Sequence, residues 1–78
     1  MIRAVNEGLA DEHVEKLCQF LKGRELIQSL NLRRNKIGNQ GAIAIADYVR
    51  KADKTLTSLE LERNEIQDEG GEALLRAM

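Results

Sequence analysis

The chain contains no proline and no tryptophan, a single cysteine (Cys18), a single histidine (His13) and only two aromatic residues, Phe20 and Tyr48. Each shortage excludes something. One cysteine rules out an intramolecular disulfide and suits a reducing compartment, so an intracellular, cytoplasmic location is expected. One histidine and one cysteine fall short of the four ligands a zinc site usually needs. Two aromatics leave no row of stacking platforms for single-stranded nucleic acid. Twelve basic and thirteen acidic residues nearly cancel, to a formal charge of -1, so there is no basic field for nucleic acid or anionic lipid. The N-terminal "MIRAVNEGLADEH" lacks the apolar stretch of a signal peptide, and no apolar run approaches the ~20 residues needed to span a bilayer. At 78 residues the chain is one small domain, a size that buries only about 60% of its unfolded surface.

What the chain does have is a sentence written twice. "LNLRRNKIGNQG" (30–41) and "LELERNEIQDEG" (59–70) both read L-x-L-x-R-N-x-I-x-x-x-G. Aligning 27–49 with 56–78, an offset of 29, gives eight identical pairs: Ser29/Ser58, Leu30/Leu59, Leu32/Leu61, Arg34/Arg63, Asn35/Asn64, Ile37/Ile66, Gly41/Gly70 and Ala44/Ala73. The N-terminal third fits the same frame at an offset of 28. Ile2 and Ala4 then fall on Leu30 and Leu32, and Leu9, Val14, Leu17, Cys18 and Leu21 fall on Ile37, Ala42, Ile45, Ala46 and Val49. Glu7 stands in the asparagine column, with Asn6 one place early. The first unit is therefore degenerate in its strand and clear in its helix. The units divide at about 1–24, 25–53 and 54–78.

Hydrophobic periodicity switches inside each unit. Leu30 and Leu32, like Leu59 and Leu61, alternate with polar residues at strand period. Beyond each loop the apolar positions take helical spacing: Val14, Leu17, Cys18, Leu21; Ala42, Ile45, Ala46, Val49; Gly71, Leu74, Leu75, Met78. Asp11, Asn39 and Asp68 are placed to cap these helices, with Glu12 and Glu69 following. Lys22–Gly23 and Arg50–Lys51 read as helix ends, Gly23 being able to turn left-handed. Each unit is thus a short strand, a loop and a helix of about three turns, and strands joined this way run parallel.

Two such copies in register, "IQSLNLRRNKIGNQGAIAIADYV" and "LTSLELERNEIQDEGGEALLRAM", resemble the leucine-rich repeat, and their length of 28–29 residues is similar to its ribonuclease-inhibitor-like subtype. The resemblance implies an α/β solenoid of two and a half to three repeats, with a curved parallel sheet inside and helices outside. It also implies that Asn35 and Asn64 form a structural ladder. The residues support that role independently, because an amide at the end of a strand can satisfy loop backbone groups of its own and the adjacent unit. Gly41 and Gly70 answer to close packing or to a backbone angle that other residues resist. "GNQG" has too few glycines to cradle phosphate.

The letters that vary alternate with the inward leucines, so Asn31, Arg33, Glu60 and Glu62 project from the concave face, and Arg3 joins the Asn31/Glu60 row. These five are the candidate partner-binding residues. No catalytic, cofactor-binding or metal site is expected. His13 and Cys18, five positions apart on one helix, face different directions. Glu60 and Glu62 share a strand face, but Arg33 and Arg63 sit beside them and the face is open, which favours a solvated charge stripe over an acid–base pair. The expected function is a non-catalytic protein–protein interaction module that binds a protein partner, with no nucleic acid and no membrane. The alternatives are a purely structural segment of a longer solenoid of ciliary, cytoskeletal or NOD-like receptor type and, behind it, a GTPase-regulator repeat. Strand edges at Ile2–Val5 and Ser58–Glu62, with Leu75 and Met78 lacking a following repeat, lead to an expectation of self-association through an edge or an end, or of dependence on neighbouring sequence.

Overall fold

The computed structural model of the protein describes residues 1–22, 27–51 and 56–77. Along them run β1 (Ile2–Arg3), α1 (Asp11–Leu21), β2 (Ser29–Asn31), α2 (Asn39–Lys51), β3 (Ser58–Glu60) and α3 (Asp68–Ala77). The expected left-handed turn at Gly23, the unit boundaries near 24 and 53, and the apolar position at Met78 lie outside the described residues.

The three strands form one parallel sheet in the order β1-β2-β3. Ile2 pairs with Leu30 and Arg3 with Asn31. Ser29, Leu30 and Asn31 pair with Ser58, Leu59 and Glu60. These are the offsets of 28 and 29 read from the repeats. β1 forms despite its poor match to the other strands, because Ile2 still supplies an inward apolar side chain and Ala4 N–H donates to Asn31 O (2.9 Å). Backbone pairing runs past the strand ends: Asn6 donates to Arg33 O at 3.1 Å, Leu32 to Glu60 O at 2.9 Å and Arg34 to Glu62 O at 2.9 Å. A second parallel contact follows the turn, where Lys36 N donates to Leu9 O (2.7 Å) and Glu65 N to Ile37 O (2.8 Å).

Between these two stretches the chain turns at one column of the repeat. Asn6, Arg34 and Arg63 all have positive φ, at 59°, 58° and 63°. Asn6 is therefore not a displaced ladder residue. It stands at the left-handed position, which asparagine tolerates better than most residues.

The core lies between the sheet and the helices. Val14, Leu30, Leu32, Ile37 and Ile45 are sealed from solvent, and Leu9, Leu17, Leu59, Leu61, Ile66 and Leu74 pack around them half-buried. Full burial of each such side chain contributes about 1.5–3 kcal/mol. Four of the five sealed residues belong to the middle unit, which has neighbours on both sides. The helices contact one another in chain order, α1 with α2 and α2 with α3.

A candidate binding face and the ladders behind it

The side chains that alternate with Leu30 and Leu32 emerge on the sheet face away from the helices. Register sets Arg3, Asn31 and Glu60 side by side across the three strands. One row further on, Arg33 reaches two carboxylates of the neighbouring strand: its Nη1 lies 4.0 Å from Glu60 Oε1 and its Nε 3.9 Å from Glu62 Oε1. The expected neighbour relation between Arg33 and Glu62 is therefore present, and Glu60 is drawn into it. The three side chains are 40%, 40% and 60% exposed. Both contacts are longer than hydrogen bonds, and the buried Arg33 Nε has no hydrogen-bond partner. Loose, exposed pairs of this kind contribute about 0–1 kcal/mol, so their charges can be redirected to a ligand at little cost.

Asn31 differs from the other four candidates. It sits on the central strand between Arg3 and Glu60 and is only 8% exposed. Its Oδ1 accepts from Arg33 N–H at 3.3 Å. It steadies the strand end and offers little surface of its own.

Behind this face, Asn35 is buried, and its amide is satisfied by three carbonyls and two N–H groups. Nδ2 donates to Ala4 O (2.7 Å), Leu32 O (2.9 Å) and Arg33 O (3.1 Å). Oδ1 accepts from Glu7 N (2.9 Å) and Leu9 N (3.1 Å). Asn64 repeats the pattern one unit later, donating to Leu32 O (2.9 Å), Leu61 O (3.0 Å) and Glu62 O (3.4 Å) and accepting from Ile37 N (3.0 Å). Each asparagine ties its own turn back to the preceding unit.

A second set of side chains reaches the other way, and sequence reasoning missed it. Asp11 and Asn39 were expected to cap their own helices. Instead they serve the next one. Asp11 Oδ1 accepts from Gly38 N–H at 2.6 Å. Asn39 Oδ1 accepts from Gln67 N–H at 2.9 Å and Gly70 N–H at 3.0 Å, the latter in the first turn of α3. This explains the repeated glycine. A Cβ on Gly41 would stand 2.7 Å from Asp11 Oδ1 and 2.7 Å from Ile37 Cγ2, and one on Gly70 would stand 2.8 Å from Asn39 Oδ1. The glycine leaves room for the preceding unit's acceptor. Close packing, not a left-handed angle, is what selects it. The signal was present as an Asp or Asn always two residues before that column.

Cys18 is half-buried on α1. Burial, with Asp47 and Glu15 nearby, pushes its thiol up to about 11, well away from a reactive thiolate. Burial, and then Cys18, also raises Tyr48. Asp47 is held below the usual carboxylate range by hydrogen bonds and charge from Lys51 and Arg50. Among the described residues no group of His, Cys, Asp and Glu side chains could hold a metal ion. Among them, too, no helix is long and apolar enough to cross a membrane.

Stacked strand–loop–helix units, tied through side-chain amides, define a parallel repeat protein. The family model described as Leucine Rich repeat matches residues 26–46 and 52–75, more than half of the chain, and the protein belongs to that family. No solved structure matches it.

Proposed function

We propose that the chain is a protein-interaction module that binds a protein partner through the sheet face carrying Arg3, Asn31, Arg33, Glu60 and Glu62. Leucine-rich repeats are typically interaction modules, and solenoids bind on the extended face of their sheet. The unit lengths of 28–29 residues and the helical second half support the ribonuclease-inhibitor-like subtype, in which this face becomes concave as units accumulate. The observation that carries the reading is the geometry around Arg33. A rigid parallel sheet presents one guanidinium and two carboxylates, half-exposed and paired at 3.9–4.0 Å. Such charges stand ready to exchange partners. The expected ligand is a protein surface of mixed charge, with carboxylates for Arg3 and Arg33 and a cation for Glu60 and Glu62. Asn31 holds the row in place.

The test is binding of a captured partner to a chain in which Arg33→Glu and Glu62→Arg are combined. That exchange keeps their mutual attraction and reverses the surface the partner meets. Loss of affinity by at least tenfold is expected, and Glu60→Lys should weaken binding as well. Affinity indifferent to all of these changes removes the reading.

A further inference from the structure

The left-handed column beyond the strands is a poor place for arginine. At φ near +60° a side chain crowds its own backbone. Glycine is free of that clash, asparagine tolerates it better than most residues, and a long side chain there is uncommon. The first unit meets the angle with Asn6, at φ 59°. The second and third units place Arg34 and Arg63 there, at 58° and 63°. Twice in succession the chain carries a residue that the backbone disfavours. Residues held in such strained conformations cluster where the side chain has a use.

Their surroundings narrow what that use is. Arg34 N–H donates to Glu62 O at 2.9 Å, so parallel pairing continues past the strands and sets Arg34 beside Arg63. Chains paired in this way lie about 4.8 Å apart, and like charges set side by side repel. Both arginines are exposed, as is Lys36 two residues beyond Arg34. The carboxylates of Glu60 and Glu62 lie against Arg33 on the sheet face. Glu7 and Glu65, in the adjoining positions of the turn, form no ion pair with the three cations. Among the described residues Arg34, Lys36 and Arg63 have no ion pair and no side-chain hydrogen bond. Two guanidinium groups therefore stand together, exposed and uncompensated, just outside the sheet face.

We infer that Arg34 and Arg63, with Lys36 beside them, form a second recognition surface at the turn, and that its ligand is an acidic segment of a protein. A carboxylate set between the two arginines relieves their repulsion, and it meets a guanidinium through two parallel hydrogen bonds. Nucleic acid fits less well. Glu60, Glu62 and Glu65 border the cations on the third unit, where they would meet an unbroken run of phosphates. The chain's two aromatics, Phe20 and Tyr48, lie on α1 and α2, so the turn has no platform on which bases could stack. A peptide, by contrast, sets its carboxylates singly. With a formal charge of -1, the chain as a whole does not attract anions, and the recognition is local to the turn. The inference does not rest on the proposed use of the sheet face.

The probe is a fluorescent hexaglutamate peptide, titrated with the full chain at low salt and read by anisotropy. Binding that weakens as salt is added is expected. Arg34→Asn combined with Arg63→Asn gives all three units the residue that the first already uses at this angle. That variant is expected to bind hexaglutamate at least about tenfold more weakly, because both bidentate partners are gone. Its urea midpoint should rise, because asparagine suits the left-handed angle better than arginine. Binding and stability then move in opposite directions, which loss of folding cannot imitate. Absence of binding by the parent chain, or equal affinity of the parent and the double variant, overturns the inference. So does a lower urea midpoint in the double variant, which would show that the arginines serve the fold.

Two further arms separate the surface and the ligand. Arg33→Glu with Glu62→Arg alters the sheet face and leaves Arg34 and Arg63 in place, so hexaglutamate binding should survive that exchange whether or not the sheet-face reading holds. A loss as large as that of the double asparagine variant would move the site onto the sheet face and overturn its assignment to the turn. A labelled single-stranded hexanucleotide should bind more weakly than hexaglutamate. Tighter binding of the hexanucleotide would make a phosphate chain the ligand and overturn the assignment to an acidic protein segment.

Discussion

Leu32 and Leu61 occupy the same place in successive units, as do Ile37 and Ile66, and Ile45 and Leu74. The first of each pair is sealed and the second is half-open to solvent. Local sequence does not make the difference, because "LNLRRNKI" and "LELERNEI" carry the same apolar letters at the same spacing. Among the described residues the middle unit has a strand and a helix on either side, and the third has them on one side only. In a stack, then, burial is conferred by neighbours, and identical substitutions in one column should have unequal effects.

Leu32→Ala beside Leu61→Ala is the largest such contrast. A sealed leucine cut to alanine loses its transfer free energy and leaves a cavity, at about 3–5 kcal/mol. A half-buried one loses part of the transfer term, and the site can collapse or admit water, so about 1–2 kcal/mol is expected. Urea melts of both variants check it. Equal shifts would break the comparison outright and show that the third unit is covered as well as the second.

The asparagines give the next contrast. Asn35→Ala abandons five contacts in a buried turn, including the Glu7 and Leu9 N–H groups. A cost of about 2–3 kcal/mol follows from leaving such groups unsatisfied. Asn64 makes four contacts in a less buried turn, and about 1–2 kcal/mol is expected for its alanine variant. Glu62→Ala removes only an exposed, long ion pair, worth about 0–1 kcal/mol. Denaturation midpoints falling in any other order would sharpen the comparison by relocating the ladder's strength.

Much of this was legible in the sequence, and what was not has a common cause. Parallel pairing, its offsets, the helical spans and the bonding of Asn35 and Asn64 to an adjacent unit all follow from the period of the apolar pattern and from a polar residue fixed at a strand end. The sheet face carrying Arg33, Glu60 and Glu62 follows from alternation. Three things were hidden. The forward reach of Asp11 and Asn39 looked like ordinary helix capping, because an N-cap motif does not reveal which helix it serves. The burial of Asn31 depends on Arg3 and Glu60 flanking it across strands, which alternation within one strand cannot show. His13 falls in the glycine column by its position, but spacing does not reveal that its Nδ1 accepts from the Ala10 N–H of its own unit.

Glycines carry the third contrast. Gly41→Ala sets a methyl within 2.7 Å of both Asp11 Oδ1 and Ile37 Cγ2. It should cost about 1–3 kcal/mol as the two units are pushed apart. In Gly71, also within a helix, an added Cβ meets nothing within 4 Å. Gly71→Ala should therefore stabilise by about 0.5–1 kcal/mol, through the backbone entropy of the unfolded chain. Opposite signs in thermal melts are the expected outcome. Destabilisation by Gly71→Ala would mean that something already covers that helix face.

Cys18 supplies the smallest effect and the finest probe, because its column runs through both ends of the stack. Leu75 in that column is open, whereas Cys18, although in the first unit, lies beside Asp47 of the following helix. Burial there lifts the thiol from an ordinary 9.0 to about 11. In the unfolded chain the thiol ionises first. Its contribution to stability is therefore complete below pH 9 and is lost as pH rises through 11. A Cys18→Ala variant should lose less stability than the parent chain across that interval, and the two should run parallel below it. At pH 8 the same shift leaves about a hundredfold less thiolate in the native state than in the unfolded one, so labelling by a soluble thiol reagent should slow by tenfold or more. Labelling as fast in buffer as in denaturant would mean that α2 does not cover Cys18. The first unit would then be as open on its forward side as the third, and the contrast between covered and uncovered units would lose its footing.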